Sequence, residues 1–243
     1  MSDLRTVQFS ERHKVSFKDA PVPDIDRDAR FLELFEIARP FTMTGKDAMF
    51  ALYGAVNHIL DRGIPGDFVE CGVWRGGSSL LVSLILKARG VRDRKVLLYD
   101  TFTGMTPPSE MDVDYKGNTA AGMMAENADG RGWCYAPLEE LKSNFARHEL
   151  PFETAFIEGD VAETLKGPKP ERIALLRLDT DWYESTLAEL VHLYPRLSPG
   201  GVLIIDDYGH WEGARRATDD YFATVPPPLL VRVNYSVRLA VKG

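Results

Sequence analysis

The chain has 243 residues, of which 44% are hydrophobic and 27% charged, and its formal net charge is −7. This acidic balance disfavours nucleic acids and anionic membranes as partners, because both attract clustered Lys and Arg. Only Cys71 and Cys134 occur, so we expect no disulfide framework and a reducing, cytoplasmic location. No apolar run approaches the roughly 20 residues of a membrane span, and residues 1–28 lack the apolar stretch of a secretion signal.

The N-terminal quarter predicts a polar arm followed by two helices. Residues 1–28 contain Pro21 and Pro23 and a charge run, which we interpret as a mobile arm that could cover a site. Apolar residues at helical spacing predict helices over 29–39 and about 45–62, with Pro40 between them. Because their apolar faces could also join two copies of the chain, we assign residues 1–62 to a cover and oligomerisation region and residues 63–243 to the main domain.

From residue 67 onwards, predicted strands alternate with predicted helices. This alternation implies crossover connections and a mostly parallel sheet, whereas the last two strands are too close for a crossover helix and should form an antiparallel hairpin. The layout is that of the class I methyltransferase fold, an α/β, Rossmann-like, doubly wound sheet. The predicted strands cover 68–71, 95–100, 154–158, 173–179, 201–206, 229–233 and 236–241, and the predicted helices cover 79–87, about 137–148, 161–166, 184–194 and 211–223.

The turn after the first predicted strand is rich in glycine. Its spacing is E-x-G-x-x-x-G, from Glu70 through Gly72 to Gly76. This differs from the G-x-G-x-x-G of dinucleotide sites, which disfavours an NAD-dependent oxidoreductase. S-Adenosylmethionine carries an ammonium and a carboxylate but no phosphate, so Glu70 could receive the ammonium and the turn amides the carboxylate. The glycines would let the backbone approach such a ligand closely, although a glycine-rich turn without a ligand is the alternative.

Acidic residues also follow the next two strands. Asp100 could accept both ribose hydroxyls of a nucleoside, and Asp160 could accept from the adenine amine. Each could instead serve a turn or a helix N-terminus. Taken together, however, Glu70, Asp100 and Asp160 at three successive strand ends favour a nucleoside ligand. Met43 and Thr44 could also contact the cofactor; the alternative is a helix N-cap with a core methionine.

Four aspartates follow two further strands of the predicted sheet. Adjacent parallel strands lie about 4.8 Å apart, so these carboxylates should converge, and without a counter-charge they would repel each other. A divalent cation removes this repulsion. Oxygen ligands favour a hard ion, hence Mg²⁺, with Ca²⁺ and Mn²⁺ as alternatives. We predict that Asp179, Asp206 and Asp207 are the metal ligands; capping and hydrogen bonding within the loops are the alternative.

Two residues are candidates for the catalytic base. Asp181 lies two residues after the first predicted ligand and could take the proton from a hydroxyl group held by the metal. His210 lies at the same rim and is the rival, although a lone histidine is more often structural. The sequence contains neither a G-x-S-x-G elbow nor a Walker loop, which disfavours nucleophilic hydrolysis and nucleotide triphosphate binding.

Several segments, in the right order, resemble the macrocin O-methyltransferase (TylF/MycF-like) family over about residues 40–222. The resemblance implies a Mg²⁺-dependent O-methyltransferase that uses S-adenosylmethionine and commonly acts on a deoxysugar hydroxyl of a natural product. It places the metal triad on Asp179, Asp206 and Asp207 and the base on Asp181. The segments are 66–77, Asp100-Thr101-Phe102, Leu176-Arg177-Leu178-Asp179-Thr180-Asp181, Ser198-Pro199-Gly200-Gly201 and Ile205-Asp206-Asp207-Tyr208.

The same resemblance assigns the cofactor contacts and leaves the acceptor open. We expect an insertion over about 103–135 to act as a lid, with a disordered insertion as the alternative. The favoured acceptor is a small, glycosylated molecule with a free hydroxyl group; the alternatives are a phenol or catechol acceptor, or a non-catalytic nucleoside-binding protein. The expected cofactor contacts are Glu70, Gly72, Val73, Trp74, Arg75, Gly76, Ser78, Asp100, Thr101, Phe102, Asp160 and Asp179.

Overall fold

The computed structural model describes residues 6–10, 13–16, 24–126 and 133–243. The strands are β1 (Thr6–Ser10), β2 (His13–Ser16), β3 (Asp67–Cys71), β4 (Val96–Asp100), β5 (Thr154–Glu158), β6 (Ile173–Leu178), β7 (Leu197–Ile205), β8 (Val231–Arg232) and β9 (Arg238–Val241). The α-helices are α1 (Ala29–Ala38), α2 (Lys46–Asp61), α3 (Gly77–Ala88), α4 (Ala120–Glu126), α5 (Leu138–Ala146), α6 (Val161–Thr164), α7 (Tyr183–Leu193) and α8 (Glu212–Phe222).

The predicted fold class is confirmed. A seven-stranded sheet has the order β5-β4-β3-β6-β7-β9-β8. Its first five strands in this order, β5, β4, β3, β6 and β7, are parallel. Strand β9 pairs antiparallel with β7, and β8 pairs antiparallel with β9. The central strand β6 is buried along its whole length, as expected of a parallel strand that is covered on both faces.

Helices cover both faces of this sheet, which makes it doubly wound. Side chains alternate along each strand: Phe68 packs with α1, α2 and α3 on one face, and Val69 packs with α6, α7 and α8 on the other. The cores on the two faces leave the carboxyl ends of the parallel strands free to carry polar residues. In open α/β sheets this edge is where ligands bind.

The C-terminal strands differ from the prediction in their bounds. Strand β7 begins at Leu197, four residues earlier than predicted, and the terminal pair is shorter, with five residues between β8 and β9 rather than a tight turn. The Asn234 side chain accepts hydrogen bonds of 2.9 Å from the backbone N–H groups of Ser236 and Val237. This local side-chain bonding competes with strand pairing and shortens the hairpin.

The described part of the 103–135 insertion is folded, and it contains α4, which the polar pattern did not predict. The Asp112 side chain is buried and accepts a 2.8 Å hydrogen bond from the Tyr183 backbone N–H. The Trp182 indole donates to the Thr106 carbonyl at 3.0 Å and packs against Trp211, with 5.0 Å between ring centroids. The alternative of a disordered insertion therefore does not hold for the described residues, and its action as a lid stays a prediction.

The two predicted N-terminal helices are confirmed. Helix α1 begins after Asp28, whose carboxylate accepts from the Phe31 backbone N–H at 2.8 Å. The apolar faces that suggested contact between two copies are buried within the chain, where Phe31 and Leu52 pack with α3. Strands β1 and β2 form a separate antiparallel pair, and residues 1–5, 11–12 and 17–23 of the predicted arm lie outside the described residues. No described helix is long and apolar enough to cross a membrane.

Candidate active site

Two neighbouring cavities open at the carboxyl ends of the parallel strands. The small cavity, of about 110 Å³, lies beside the ends of β3, β4 and β5. The large cavity, of about 610 Å³, lies between the start of α2 and the end of β7. The two cavities share a junction lined by Met43, Trp74, Cys134, Asp179 and Asp181.

The predicted cofactor residues distribute over the two cavities. Arg75, Gly76 and Phe102 line neither cavity: Arg75 forms an ion pair with Glu140 at 2.5 Å, and Phe102 is buried in the core. Met43 is 66% exposed and is therefore not a core methionine. The residues at the small cavity are Met43, Gly72, Trp74, Asp100, Thr101, Asp160 and Asp179, and those at the large cavity are Met43, Thr44, Glu70, Val73, Trp74, Ser78 and Asp179.

The glycines of the first turn serve packing within the protein. Gly72 has φ +79°, and a Cβ atom there would lie 1.9 Å from the Asp179 carbonyl oxygen. Gly76 has φ +87°, and a Cβ atom there would lie 2.2 Å from Leu141 Cδ1. A side chain at either position would therefore collide with protein atoms, while Gly72 also lines the small cavity, so its predicted close approach to a ligand stays a prediction.

Asp100 and Asp160 organise the backbone at the small cavity. Asp100 accepts from the backbone N–H groups of Val73 at 2.6 Å, Trp74 at 3.0 Å and Phe102 at 2.7 Å. Asp160 caps α6 by accepting from Ala162 N–H at 2.9 Å. A carboxylate offers about four acceptor positions, so Asp160 retains capacity for a ligand. Its capping role and its predicted contact with adenine are compatible.

Glu70 and Arg177 form a buried ion pair that the sequence did not predict. Arg177 on β6 is 3% exposed and donates to Glu70 Oε1 at 2.6 Å. The other Glu70 oxygen accepts from the Ser79 hydroxyl. Burial raises the pKa of Glu70 to about 7, against the opposing effect of Arg177. Both Glu70 oxygens are thus engaged within the protein, although Glu70 also lines the large cavity, and its predicted contact with the cofactor ammonium stays a prediction.

Asp179 and Asp181 at the junction come together with Asp207 of the large cavity. Each offers a carboxylate oxygen within 4.8 Å of the others. Asp207 Oδ2 is buried and has no hydrogen-bond partner among the described residues. Burial and the neighbouring carboxylates raise the pKa values of Asp179 and Asp207 well above the usual range. Such a group of oxygen donors with one unpartnered buried atom fits a hard divalent cation.

Asp206 lies beside this group and contacts Arg177. Its Oδ1 accepts from the guanidinium at 2.6 Å, and its side chain is 17% exposed. Two of the three predicted metal ligands, Asp179 and Asp207, therefore lie together, with the predicted base Asp181 beside them. The full predicted set of Asp179, Asp206 and Asp207 stays a prediction.

Asp181 has the features of a general base at this junction. Its backbone φ is +69°, a left-handed conformation that aspartate tolerates better than most residues. Burial raises its pKa to about 7, and the neighbouring carboxylates of Asp179 and Asp206 act in the same direction. A carboxyl group with a pKa near neutrality is well matched to proton transfer at physiological pH.

His210, the rival base, belongs to an aromatic wall of the large cavity. Its Nδ1 lies 3.1 Å from the Tyr235 hydroxyl oxygen, and its ring packs on Trp211 and Tyr115 with centroid distances of 5.0 and 5.5 Å. Burial lowers its pKa, so the imidazole is neutral at pH 7. These contacts favour a structural role in the cavity wall, and its role as a base stays a prediction.

Glu189 is a buried acid behind the junction that the sequence analysis missed. It lies on α7, is fully buried, and accepts from the Thr180 hydroxyl at 2.9 Å. Its Oε2 has no hydrogen-bond partner among the described residues. Burial raises its pKa to about 8. A protonated Glu189 therefore supports the loop that carries Asp179 and Asp181.

We expect Glu189→Gln to stabilise the metal-free protein at alkaline pH. The pKa of Glu189 is raised from 4.5 to about 8 on folding, so the folded state binds its proton more tightly than the unfolded state. The stability that this proton contributes is full below pH 4.5, declines as the pH rises, and is lost once the pH has passed through 8. The free energy of unfolding of the variant minus that of the wild type should increase by about 1.4 kcal/mol per pH unit between these limits. Urea titrations at several pH values measure this difference. A difference that stays constant with pH would contradict a protonated Glu189.

The comparisons with known proteins agree on one family. The chain matches the family described as Macrocin-O-methyltransferase (TylF) over residues 2–226. The 8-demethyl-8-(2,3-dimethoxy-alpha-L-rhamnosyl)-tetracenomycin-C 4'-O-methyltransferase of Streptomyces olivaceus is 38% identical over 84% of this chain and 78% of its own length. Demethyldecarbamoylnovobiocin O-methyltransferase of Streptomyces niveus is 35% identical over 76% of this chain and 69% of its own length. The structure of the O-methyltransferase NovP superposes with a TM-score of 0.72 at 31% identity, covering 83% of this chain and 82% of NovP.

Proposed function

Because the chain belongs to the macrocin O-methyltransferase family, we propose that it transfers a methyl group from S-adenosylmethionine to a sugar hydroxyl of a glycosylated natural product. O-Methyl transfer is the activity in the names of the relatives, and one of those names contains a rhamnosyl group. Both cysteines of the chain are free thiols, which is compatible with a reaction in the reducing cytoplasm.

The junction between the two cavities is the observation that carries this proposal. The small cavity has the features of a nucleoside site, since Asp100, Thr101 and Asp160 line it at successive strand ends. The large cavity has room for a sugar and part of its aglycone. A donor in the small cavity and an acceptor in the large cavity would meet beside Asp179 and Asp181. Holding two reactants in line in this way accounts for much of the rate of a displacement at a methyl carbon.

Acidic side chains at the junction supply the remaining chemistry. Asp179 and Asp207 would hold a magnesium ion together with Asp206, and Asp181 would take the proton from the acceptor. Magnesium bound there would lower the pKa of a sugar hydroxyl and fix its orientation. The sugar hydroxyl needs this help because an aliphatic alcohol is a weak nucleophile while it is protonated. The buried and unpartnered Asp207 Oδ2 supports this assignment.

The charge of the large cavity favours a neutral glycoside over a nucleotide sugar. Its described lining contains no Lys or Arg. A pyrophosphate would therefore find no Lys or Arg of this lining to pair with, and those lining carboxylates that are ionised and not bound to a cation would repel it. The aromatic side chains of Trp133, Trp211 and Tyr235 in the same lining suit the apolar face of a sugar ring or an aromatic aglycone instead. The acidic lining residues are Asp47, Glu70, Asp179, Asp181, Asp206 and Asp207.

An acceptor panel tests this proposal. We expect a methylated product, 14 mass units heavier, from an L-rhamnosylated aromatic aglycone, and much less product from dTDP-L-rhamnose or a catechol. Mass spectrometry of reactions with S-adenosylmethionine and Mg²⁺ measures the products, and boiled enzyme is the control. Methylation of the nucleotide sugar alone would contradict the charge argument, and methylation of the catechol alone would favour the phenol or catechol class.

A further inference from the structure

Arg177 is placed in β6 among apolar residues. The strand has the sequence IALLRL, and all six residues are buried. Its apolar residues pack in the two cores of the sheet. Arg177 stands opposite Glu70 in the pairing of β6 with β3, so both side chains point to the same face of the sheet. Burying a guanidinium costs free energy unless it is fully paired. The hydrogen-bond partners of the Arg177 guanidinium therefore indicate the role of this buried charge.

The Arg177 guanidinium connects four segments of the chain. One terminal nitrogen donates to Glu70 Oε1 and Asp179 Oδ2, each at 2.6 Å. The other donates to Asp206 Oδ1 at 2.6 Å and to Thr44 Oγ1 at 3.0 Å. Each aspartate engages Arg177 through one oxygen only, and both side chains remain partly open, with 27% of Asp179 and 17% of Asp206 exposed.

We propose that Arg177 is a positioning residue that orients Asp179 and Asp206 as ligands of the divalent cation. Its planar fork fixes one oxygen of Asp179 and one of Asp206, so that the second oxygen of each is held toward the large cavity. Glu70, with both oxygens engaged by Arg177 and Ser79, anchors the fork from behind. Partners that orient metal ligands in this way typically change metal affinity 10- to 100-fold when they are replaced. This inference rests on the metal site of the proposed function.

A role as a plain counter-charge makes the opposite prediction. Arg177 lies among five carboxylates, those of Glu70, Asp179, Asp181, Asp206 and Asp207. A positive charge beside these ligands repels a metal ion, so its removal by itself would tighten metal binding. A lysine would preserve the charge but not the planar fork that holds two carboxylates at once. Charge and positioning can therefore be separated by substitution.

The test uses the variants Arg177→Lys and Arg177→Gln with Mn²⁺ as the probe. Titration of the full-length protein, followed by the electron paramagnetic resonance signal of free Mn²⁺, gives the dissociation constant without any turnover. Positioning predicts that both variants bind Mn²⁺ about 10- to 100-fold more weakly than the wild type. Wild-type affinity in Arg177→Lys together with tighter binding in Arg177→Gln would overturn the inference. A wild-type protein that binds no Mn²⁺ would overturn the proposed metal site itself.

A milder pair of variants covers the case in which the Arg177 variants fail to fold. Thr44→Val removes one acceptor of the guanidinium without touching a charged group, and Thr44→Ser retains the hydroxyl as the matched control. We expect Thr44→Val to weaken Mn²⁺ binding several-fold and Thr44→Ser to retain wild-type affinity. Wild-type Mn²⁺ affinity in Thr44→Val as well as in Thr44→Ser would overturn the inference, because the contact with Thr44 would then have no influence on the ligands that Arg177 holds.

Discussion

Replacing Asp181 with asparagine should lower kcat for a sugar acceptor about 10²- to 10⁴-fold, which is the usual contribution of a general base. Asparagine preserves the shape of the side chain and tolerates the left-handed backbone at this position, φ +69°. It cannot accept a proton, however. Steady-state kinetics at saturating Mg²⁺ and S-adenosylmethionine measure the loss.

His210→Gln is the matched control for this experiment. The neutral amide can still bond to the Tyr235 hydroxyl, which lies 3.1 Å from His210 Nδ1, so we expect kcat to change less than tenfold. If the loss of kcat followed His210 rather than Asp181, the base would be the histidine. If Asp181→Asn lost Mn²⁺ affinity at least tenfold, Asp181 would be a metal ligand, and its assignment as the base would be wrong.

The acceptor class should change the size of the Asp181 effect. A phenol is already acidic enough to lose its proton with little assistance, whereas a sugar hydroxyl is not. Asp181→Asn should therefore reduce turnover of a glycoside much more than turnover of a catechol. Parallel measurement of kcat for the two acceptors tests this, and equal losses would contradict a base that acts on the acceptor hydroxyl.

Asp207→Asn should have opposite effects on metal binding and on the stability of the metal-free protein. The half-buried Asp207 carboxyl has a pKa raised well above 3.8 by burial of its atoms and by Asp181 and Asp206. The stability that goes with its protonated form is lost as the pH rises through that raised pKa. At pH 8 the asparagine variant should therefore unfold at a higher temperature than the wild type in EDTA, and it should lose at least tenfold in Mn²⁺ affinity.

Thermal unfolding with and without Mg²⁺ measures both effects of Asp207→Asn. Ligand that binds only the folded state raises the melting temperature, so the wild type should gain stability with Mg²⁺ and the variant should not. Asp219→Asn, at an exposed aspartate on α8, is the control and should keep the wild-type response to Mg²⁺. A Mg²⁺-dependent shift of normal size in Asp207→Asn would show that Asp207 is not a ligand.

The sheet could be predicted because its pattern is local. Alternating apolar strands and helices, with acids directly after the strands, indicated the fold and the edge where the cavities open. Partners at long sequence separation could not be predicted in the same way. Arg177 and Glu70 are 107 residues apart, and nothing in either segment alone identifies the other as its partner. The signal that was available is the single charge within the apolar run IALLRL, because unpaired arginine is rarely buried.

The roles of individual acids were harder to predict than their location. The pattern placed Asp179, Asp206 and Asp207 at one edge, but it carried no information about which oxygens Arg177 would engage. Glu189 was missed because its position in α7 looks like that of an ordinary helical acid, and only packing shows that it is fully buried. Likewise, Gly72 fits any ligand-binding turn until the Asp179 carbonyl is found where its Cβ would lie.

Metal dependence of product formation tests the central claim most directly. Enzyme treated with EDTA is assayed by mass spectrometry with S-adenosylmethionine and the rhamnosylated acceptor, and Mg²⁺ is then restored in excess. We predict that methylated product falls to background with EDTA and returns on addition of Mg²⁺, while S-adenosylhomocysteine binds equally well in both conditions by calorimetry. Full turnover in EDTA would contradict an active site in which Asp179, Asp206 and Asp207 hold a cation beside the methyl donor.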